Sequence, residues 1–385
     1  MSLRRRAVVR LTVGAVLIVV AIAAVPFLLL ADPARLADYA HREMVLTVVA
    51  ERASAGATTP SEKAMRLADY LHANLYIFPG IEILEENLSR DPLFYLVHSV
   101  GWCDQQAGVL VALARKLGID GALLDLEPSS DPARHVVALL DVGGAYRVFD
   151  PYYGIVFTGA DGEPATLDDL RSPVRPASDQ YDAIVQFVGP GELDGYRNLF
   201  DPRAEHTVRR LTWGFARDAV SFLVDAWYFA LGDQFVSLYQ DLYFRAAEPS
   251  APVRGRLLHL AGRLEAARVL YEVMRDDPAQ YLDEDGADAF LAREPANAGN
   301  FAVGMDFYLA KLHLDKGDVE TAFEAFAIIA LDHSASPWAA KANYFAGAIS
   351  EARGDRDAAR RWYLRARLDH ATPAPGRYLA LERGR

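Results

Sequence analysis

The sequence predicts an α+β domain that is preceded by one transmembrane helix and followed by an all-α region. An uncharged apolar segment lies near the N-terminus, helical and strand-like patterns alternate over residues 60–160, and helical patterns alone continue beyond about residue 200. The 385-residue chain has 52% hydrophobic and 24% charged residues. This composition is typical of a folded protein with two or three domains, and it excludes a disordered chain.

The N-terminal segment, residues 11–31, contains no charged residue. A helix of about 20 residues crosses the ~30 Å hydrocarbon layer of a membrane, so this segment is long enough to span one. Four arginines precede it. By the positive-inside rule they place the N-terminus in the cytoplasm and the bulk of the chain in the periplasm or outside the cell. We expect residues 1–31 to be a retained membrane anchor; a cleaved signal peptide is the alternative.

Residues 32–59 are predicted to form a helical stem and a short polar linker. A helix start follows, because Thr59 is a suitable N-cap, Pro60 suits the first helical position and Glu62 completes a capping box. Residues 103–117 show a second helical pattern of apolar residues that ends at a glycine.

Three short β-like runs follow this second helix, over residues 122–126, 135–141 and 146–149. Proline, aspartate and glycine residues separate them, as is typical of turns between antiparallel strands. We therefore assign residues 60–190 to an α+β domain.

Residues 191–385 are predicted to form a helical domain. Gly262, Gly317 and Gly354 are each followed by an alanine five residues later and by an aromatic residue four positions beyond that alanine. This pattern resembles the tetratricopeptide repeat, in which the glycine ends one helix and the alanine lets the next helix pack closely. Because the glycines are spaced irregularly, an ordinary helical bundle remains the alternative.

Charge and cysteine content exclude several function classes. The net charge of −12 argues against a nucleic-acid partner, which requires clustered positive charge. The single cysteine excludes a disulfide within the chain and any multi-cysteine zinc site. The sequence shows neither metal-ligand spacing nor a phosphate-binding glycine loop, so we predict no metal ion and no cofactor.

Three residues, which follow one another along the chain, are of the types that nucleophilic catalysis requires. Cys103 opens the second helix, where the positive end of the helix dipole stabilises a thiolate. His135 begins the second β-like run, and Asp150 ends the third. Adjacent antiparallel strands can bring these two side by side, which provides a base for the sulfur and a carboxylate that orients the imidazole. Each residue alone has an ordinary structural role, and the prediction depends on the ordered set.

The residues around this set resemble the transglutaminase-like superfamily. The resemblance covers roughly residues 60–160, with Gly-Trp-Cys-Asp-Gln-Gln-Ala at 101–107, His-Val-Val at 135–137 and Tyr-Arg-Val-Phe-Asp-Pro at 146–151. It implies a papain-like core in which Cys103 is the nucleophile, His135 the general base and Asp150 the orienting carboxylate. We further predict that Trp102 and Tyr152 contribute to substrate binding.

Two functions are compatible with this sequence. The first is a membrane-tethered, extracytoplasmic cysteine hydrolase or acyltransferase that attacks amide bonds of a protein or peptide substrate through a thioester. Hydrolysis is favoured over cross-linking, since the chain has five lysines against 35 arginines and no calcium-binding loop. The second is a non-catalytic scaffold whose helical repeats bind a peptide or protein partner.

Overall fold

A computed structural model describes residues 33–75, 91–127, 135–172, 176–188, 196, 205–209, 215–291, 297–366 and 372–384. The predicted anchor, residues 11–31, lies outside these ranges. Among the helices that are described, none has both the length and the apolar character needed to cross a bilayer.

The chain divides into two compact units. Of the described residues, those within 33–44 and 215–248 belong to the first, and those within 45–209 and 249–384 belong to the second. Each unit is described below by its own contacts.

The described chain opens with helices α1 (Pro33–Ala53) and α2 (Pro60–Asn74). They confirm the predicted helical stem and the predicted helix start. The Glu62 N–H donates to the Thr59 hydroxyl at 3.1 Å, and the Glu62 carboxylate accepts from the Thr59 N–H at 3.2 Å. This capping box satisfies two backbone donors that the helix itself leaves without partners.

Two further helices, α3 (Pro92–His98) and α4 (Cys103–Lys116), lead into the sheet. The α4 bounds agree with the predicted second helix. Its apolar side chains, including Val109, Leu110 and Leu113, are fully buried, and α4 packs on the adjoining strands. The first turn of α4 is thereby held in a fixed position beside the sheet.

Within the described residues, four antiparallel strands form one sheet in the order β3-β2-β1-β4. Their bounds are β1 (Gly121–Glu127), β2 (His135–Val142), β3 (Ala145–Phe149) and β4 (Glu205–Arg209). Gly143 and Gly144 join β2 to β3 with φ of +67° and +84°. A two-residue hairpin turn with both φ values positive strongly favours glycine.

The first three strands confirm the three predicted β-like runs, but the prediction that strands end before residue 200 is wrong. Strand β4 has five residues and pairs with β1, which lies about 80 positions earlier in the chain. A run this short has no hydrophobic periodicity of its own. Strand β4 forms because its backbone pairs with the edge of β1. This long-range contact cannot be predicted from the local sequence.

One face of the sheet is covered by two short helices, α5 (Leu167–Arg171) and α6 (Asp179–Ala183). Alternate strand residues such as Leu124, Val137 and Val148 pack against Leu170 and Ile184 in a single buried cluster. Helix α6 continues into one π-helical turn at Ile184–Val188.

The first unit contains the first turns of α1 and the helices α7 (Phe215–Leu231) and α8 (Asp233–Ala247). The His41 ring stacks on Tyr243 of α8 with ring centroids 3.8 Å apart. The Tyr243 hydroxyl donates to the Asp38 carboxylate at 3.2 Å. Burial lowers the pKa of His41 to about 3, so the stacked ring is neutral.

The described residues of the second unit beyond residue 249 are mainly helical. The helices and their bounds are α9 (Ala251–Leu260), α10 (Leu264–Asp276), α11 (Asp288–Leu291), α12 (Ala298–Asp315), α13 (Val319–Asp332), α14 (Trp338–Ala352), α15 (Arg356–Ala366) and α16 (Ala374–Glu382).

The three glycine motifs mark the same turn, between α9 and α10, α12 and α13, and α14 and α15. Gly262, Gly317 and Gly354 have φ of +78°, +81° and +79°. In each turn the N–H after the glycine donates to the carbonyl five residues earlier, at 2.9–3.0 Å. The alanine and the aromatic residue of each motif are fully buried. This packing agrees with the pattern seen in the sequence, while assignment to the tetratricopeptide class stays a prediction.

Gly347 lies where α14 approaches α15 most closely. A Cβ atom at this position would stand 2.6 Å from two ring carbons of Tyr363. We expect Gly347→Ala to lower the free energy of unfolding by about 1–3 kcal/mol, because the two helices must move apart. Gly108→Ala in α4 is the matched control. Since nothing lies within 4 Å of that position, it should raise stability by up to about 1 kcal/mol. Urea unfolding of both variants tests this, and equal effects would contradict the close packing.

The last helix, α16, packs on α6. The Gln180 side chain donates to the carbonyls of Tyr153 and Thr372 at 3.2 and 3.3 Å. Its amide oxygen accepts from the Gly376 N–H at 2.8 Å. Arg383, just beyond α16, pairs with two aspartates of α6 at 2.6 and 3.0 Å. The C-terminal helix is therefore fastened to the part of the chain that carries the sheet.

Candidate active site

Cys103 is the first residue of α4, and hydrogen bonds on both sides fix its position. The Trp102 N–H donates to the Gln105 side-chain oxygen at 2.8 Å. The Gln106 side chain donates to the Gly101 carbonyl, also at 2.8 Å. Cys103 is partly exposed, so a molecule arriving from solvent can reach it.

His135 and Asp150 meet because of the register between β2 and β3. Ala138 pairs with Phe149, which places Asp150, the next residue, beside the start of β2. The His135 Nε2 lies 2.7 Å from the Asp150 Oδ2. The Cys103 side chain lies close enough to the His135 ring to help raise the pKa of that ring. Because Nε2 is bound to the carboxylate, Nδ1 is the ring nitrogen left for the sulfur.

The Asp150 carboxylate is 1% exposed and accepts three further hydrogen bonds. The Tyr196 hydroxyl donates to Oδ2 at 2.8 Å, and the N–H groups of Tyr152 and Tyr153 donate to Oδ1 at 3.0 and 3.2 Å. A buried carboxylate with this many donors is held as an anion in one orientation.

The electrostatics of the pair follow from these contacts. Burial alone raises the pKa of Asp150, but the His135 ring and the hydrogen-bond donors outweigh burial and hold that pKa below its usual value. Burial alone lowers the pKa of His135, but the Asp150 carboxylate outweighs burial and raises it. Both shifts favour an imidazolium beside a carboxylate at neutral pH.

The turn after Asp150 is supported from α2. The His72 Nδ1 lies 3.1 Å from the Tyr152 carbonyl oxygen. Gly154, with φ of +65°, passes so close that a Cβ atom would stand 2.5 Å from the His72 ring. Glycine is required here by both the positive φ and the close approach. Helix α2 thus helps to position the turn whose backbone N–H groups donate to Asp150.

The structure places His135 against Asp150, with Cys103 near the His135 ring. The catalytic roles of these three residues stay predictions. Trp102 is the half-buried residue directly before the cysteine, and the Tyr152 ring centroid lies 6.0 Å from that of His135. The substrate-binding roles of these two residues stay predictions.

Sequence reasoning missed two residues that support this site, Tyr196 and His72. Tyr196 is one of 18 tyrosines in the chain, and no motif or spacing distinguishes it. His72 had a weak signal, since it lies on the buried face of a well-predicted helix. Its partner is 80 residues away, and only the tertiary fold could show that contact.

Comparison with known proteins agrees with this geometry over part of the chain. The family model of the transglutaminase-like superfamily matches residues 47–123, from within α1 to the beginning of β1. These residues therefore form a transglutaminase-like domain segment, which confirms the resemblance seen in the sequence. The match includes Cys103 and ends before His135 and Asp150. No curated protein and no solved structure matches the chain.

Proposed function

We propose that this protein is a cysteine hydrolase or acyltransferase that acts on amide bonds of a protein or peptide. The observation that supports the proposal is the buried hydrogen bond between His135 and Asp150, with the Cys103 side chain near the same imidazole ring. The roles required for covalent acyl transfer are a nucleophile, a base beside it and a group that orients the base. These three residues are of the types that fill those roles.

In the proposed reaction the Cys103 Sγ, as a thiolate, attacks the carbonyl carbon of the amide. The His135 imidazolium gives its proton to the departing nitrogen as the carbon–nitrogen bond breaks, and a thioester remains on the sulfur. His135, now neutral, accepts a proton from a water molecule or a second amine, which attacks the thioester and releases the acyl group. The thiolate and imidazolium form again, so the cycle is balanced.

The start of α4 also offers a donor for the oxyanion that forms during attack. The Cys103 N–H is the first of the helix and has no acceptor within the described part of the chain. A backbone N–H at a helix N-terminus is a suitable donor for developing negative charge. We assign it that role.

We also propose that the protein is tethered to a membrane by residues 11–31, with the cysteine site on the extracytoplasmic side. The support for this is the uncharged segment and the four arginines that precede it.

The thiol chemistry can be tested without a known substrate. Since Cys103 is the single cysteine, iodoacetamide labelling followed by intact-mass spectrometry reports on it alone. At pH 6 an ordinary thiol is less than about 1% thiolate. We expect Cys103 to be labelled at least about tenfold faster than glutathione, because His135 provides a cationic partner.

The His135→Gln variant should lose this rate advantage. His98→Gln is the matched control, since His98 is also buried but stacks on Phe94. If His135→Gln is labelled as fast as the unmodified protein, the sulfur is not activated by the imidazole and the proposal is wrong.

A further inference from the structure

A solvent-accessible cavity lies in the second unit, where helices of the transglutaminase-like segment meet helices that follow residue 249. It has a volume of about 480 Å³. Its walls come from the end of α1 and from α2, α9, α12, α14 and α16. The aromatic side chains of Tyr70, Tyr344 and Phe345 form part of the lining.

The cavity is strongly cationic, although the chain as a whole carries a net charge of −12. Two carboxylates line it, those of Asp69 and Asp315. Five basic side chains line it as well: Arg52, Arg66, Arg256, Lys311 and Arg377.

Both carboxylates are already engaged by arginines. Arg52 pairs with Asp315 at 2.9 Å, and Arg377 pairs with Asp69 at 3.3 Å. Asp315 also lies 3.1 Å from the Nε2 of His259. Burial lowers the pKa of His259 to about 4, so this ring is neutral and donates to the carboxylate. Asp315 also attracts the Lys311 ammonium electrostatically, but it forms no ion pair with Lys311 in the described part of the chain, and five basic groups face two carboxylates.

Lys311 is the feature that points to a ligand. It is 8% exposed, and its ammonium lies over the Phe345 ring at 4.3 Å from the centroid. Within the described residues it makes no hydrogen bond and no ion pair. Burial outweighs the opposing effect of the Asp315 carboxylate and, with Arg256 and Arg52 nearby, lowers the pKa of Lys311 to about 8, so the ammonium still carries its charge at neutral pH. A buried ammonium without a hydrogen-bonding partner is costly unless a ligand supplies one.

Arg256 is the second buried cation of the cavity, with 4% exposure. Its Nε and one terminal nitrogen donate to the carbonyls of Val97 and Leu96 and to the Ser99 hydroxyl. The guanidinium lies over the Tyr308 ring at 4.2 Å. These partners are all neutral, and within the described part of the chain the guanidinium forms no ion pair with a carboxylate.

We propose that this cavity is a binding site for a small ligand that carries an oxyanion, a carboxylate or a phosphate, together with an apolar or aromatic portion. Lys311 and Arg256 bind the oxyanion, and the wall formed by Tyr344 and Phe345 contacts the apolar portion. Arginine and lysine are the side chains that bind such groups most strongly.

The site is separate from the cysteine site. Asp69, Tyr70 and Ala73 of α2 line the cavity, whereas His72 of the same helix contacts the turn that follows Asp150. None of Cys103, His135 and Asp150 lines the cavity. A test of ligand binding in the cavity is therefore independent of the chemistry proposed for Cys103.

The test is thermal unfolding of the full chain in 10 mM sodium phosphate, in 10 mM sodium glutarate and in sodium chloride of matched ionic strength. We expect phosphate or glutarate to raise the Tm by about 5 °C over chloride if the dissociation constant is near 0.1 mM. The two anions distinguish a phosphate ligand from a carboxylate ligand. Equal Tm values in all three salts would overturn the proposal.

Three variants assign the effect to the cavity. Lys311→Met should have a Tm in chloride that equals or exceeds the unmodified value, because it removes an unpaired buried charge, and it should lose the anion-dependent rise. Lys311→Arg should keep that rise. Lys316→Met is the matched control, since Lys316 follows the same helix but pairs with Glu265 outside the cavity. An anion-dependent rise that persists in Lys311→Met, or that disappears in Lys316→Met, would refute the assignment.

Discussion

Cys103→Ala is expected to reduce the turnover of an amide substrate by about 10⁴-fold or more, because alanine has no nucleophile to form the thioester. Fluorogenic peptide amides measure hydrolysis, and incorporation of a fluorescent primary amine into a glutamine-containing peptide measures transfer. The variant should unfold at nearly the same urea concentration as the unmodified protein, since the side chain is partly exposed.

The control for this variant is Asp104→Asn at the neighbouring, exposed position. It changes the charge at the start of α4 but removes no group of the proposed mechanism. It should therefore keep turnover within about an order of magnitude. If Cys103→Ala turned over substrate at the unmodified rate, the activity would come from another group, and the proposed function would be wrong.

Asp150→Asn is expected to have the largest combined effect on rate and stability. An asparagine side chain has one acceptor oxygen and one donor nitrogen. In one orientation its amide N–H groups face His135 and Tyr196, and in the other they face the N–H groups of Tyr152 and Tyr153. We expect a loss of about 3–5 kcal/mol in the free energy of unfolding, as for other broken buried pairs. The rate should fall by about 10⁴-fold through a misoriented imidazole.

The stability difference between the unmodified protein and Asp150→Asn should depend on pH. The lowered pKa of Asp150 stabilises the fold above the ordinary carboxyl value near 4, and this stabilisation is lost as the pH falls through the lowered value. The raised pKa of His135 stabilises the fold below the ordinary value near 6.5, and this stabilisation is lost as the pH rises through the raised value.

The difference is therefore expected to be greatest between about pH 4 and 6.5 and to shrink on both sides. Urea unfolding of both proteins from pH 3 to pH 9 measures it. A constant difference across this range would mean that the pair is not ionised in the folded protein.

Local signals in the sequence were enough to predict much of the α+β domain. The capping residues around Pro60 and the glycines at 143 and 144 act within a few positions of the chain, so helix α2 and the β2–β3 hairpin could be predicted. The same holds for Cys103 at the start of α4. His135 and Asp150 followed from the hairpin, because antiparallel pairing of neighbouring runs leaves few choices of register.

What could not be predicted depends on contacts between distant segments. Strand β4 is defined by the edge of β1, and Tyr196 joins the site only because the fold brings it to Asp150. The cationic cavity could not be predicted from the sequence either, because nothing in the local sequence distinguishes Arg256 and Lys311 from exposed basic residues of a helix. Their burial results from packing between residues 45–211 and 249–385, which periodicity alone does not specify.

The attachment of α16 to α6 has a consequence for the order of events during synthesis. The Gln180 side chain donates a hydrogen bond to the carbonyl of Tyr153 and accepts one from the N–H of Gly376. Gly376 lies 196 residues after Gln180 in the chain. At about 5–20 residues per second, a ribosome needs roughly 10–40 s to supply that partner. Until then the turn beside Asp150 lacks part of its support. The cysteine site is therefore completed late in translation, well after its own residues have emerged.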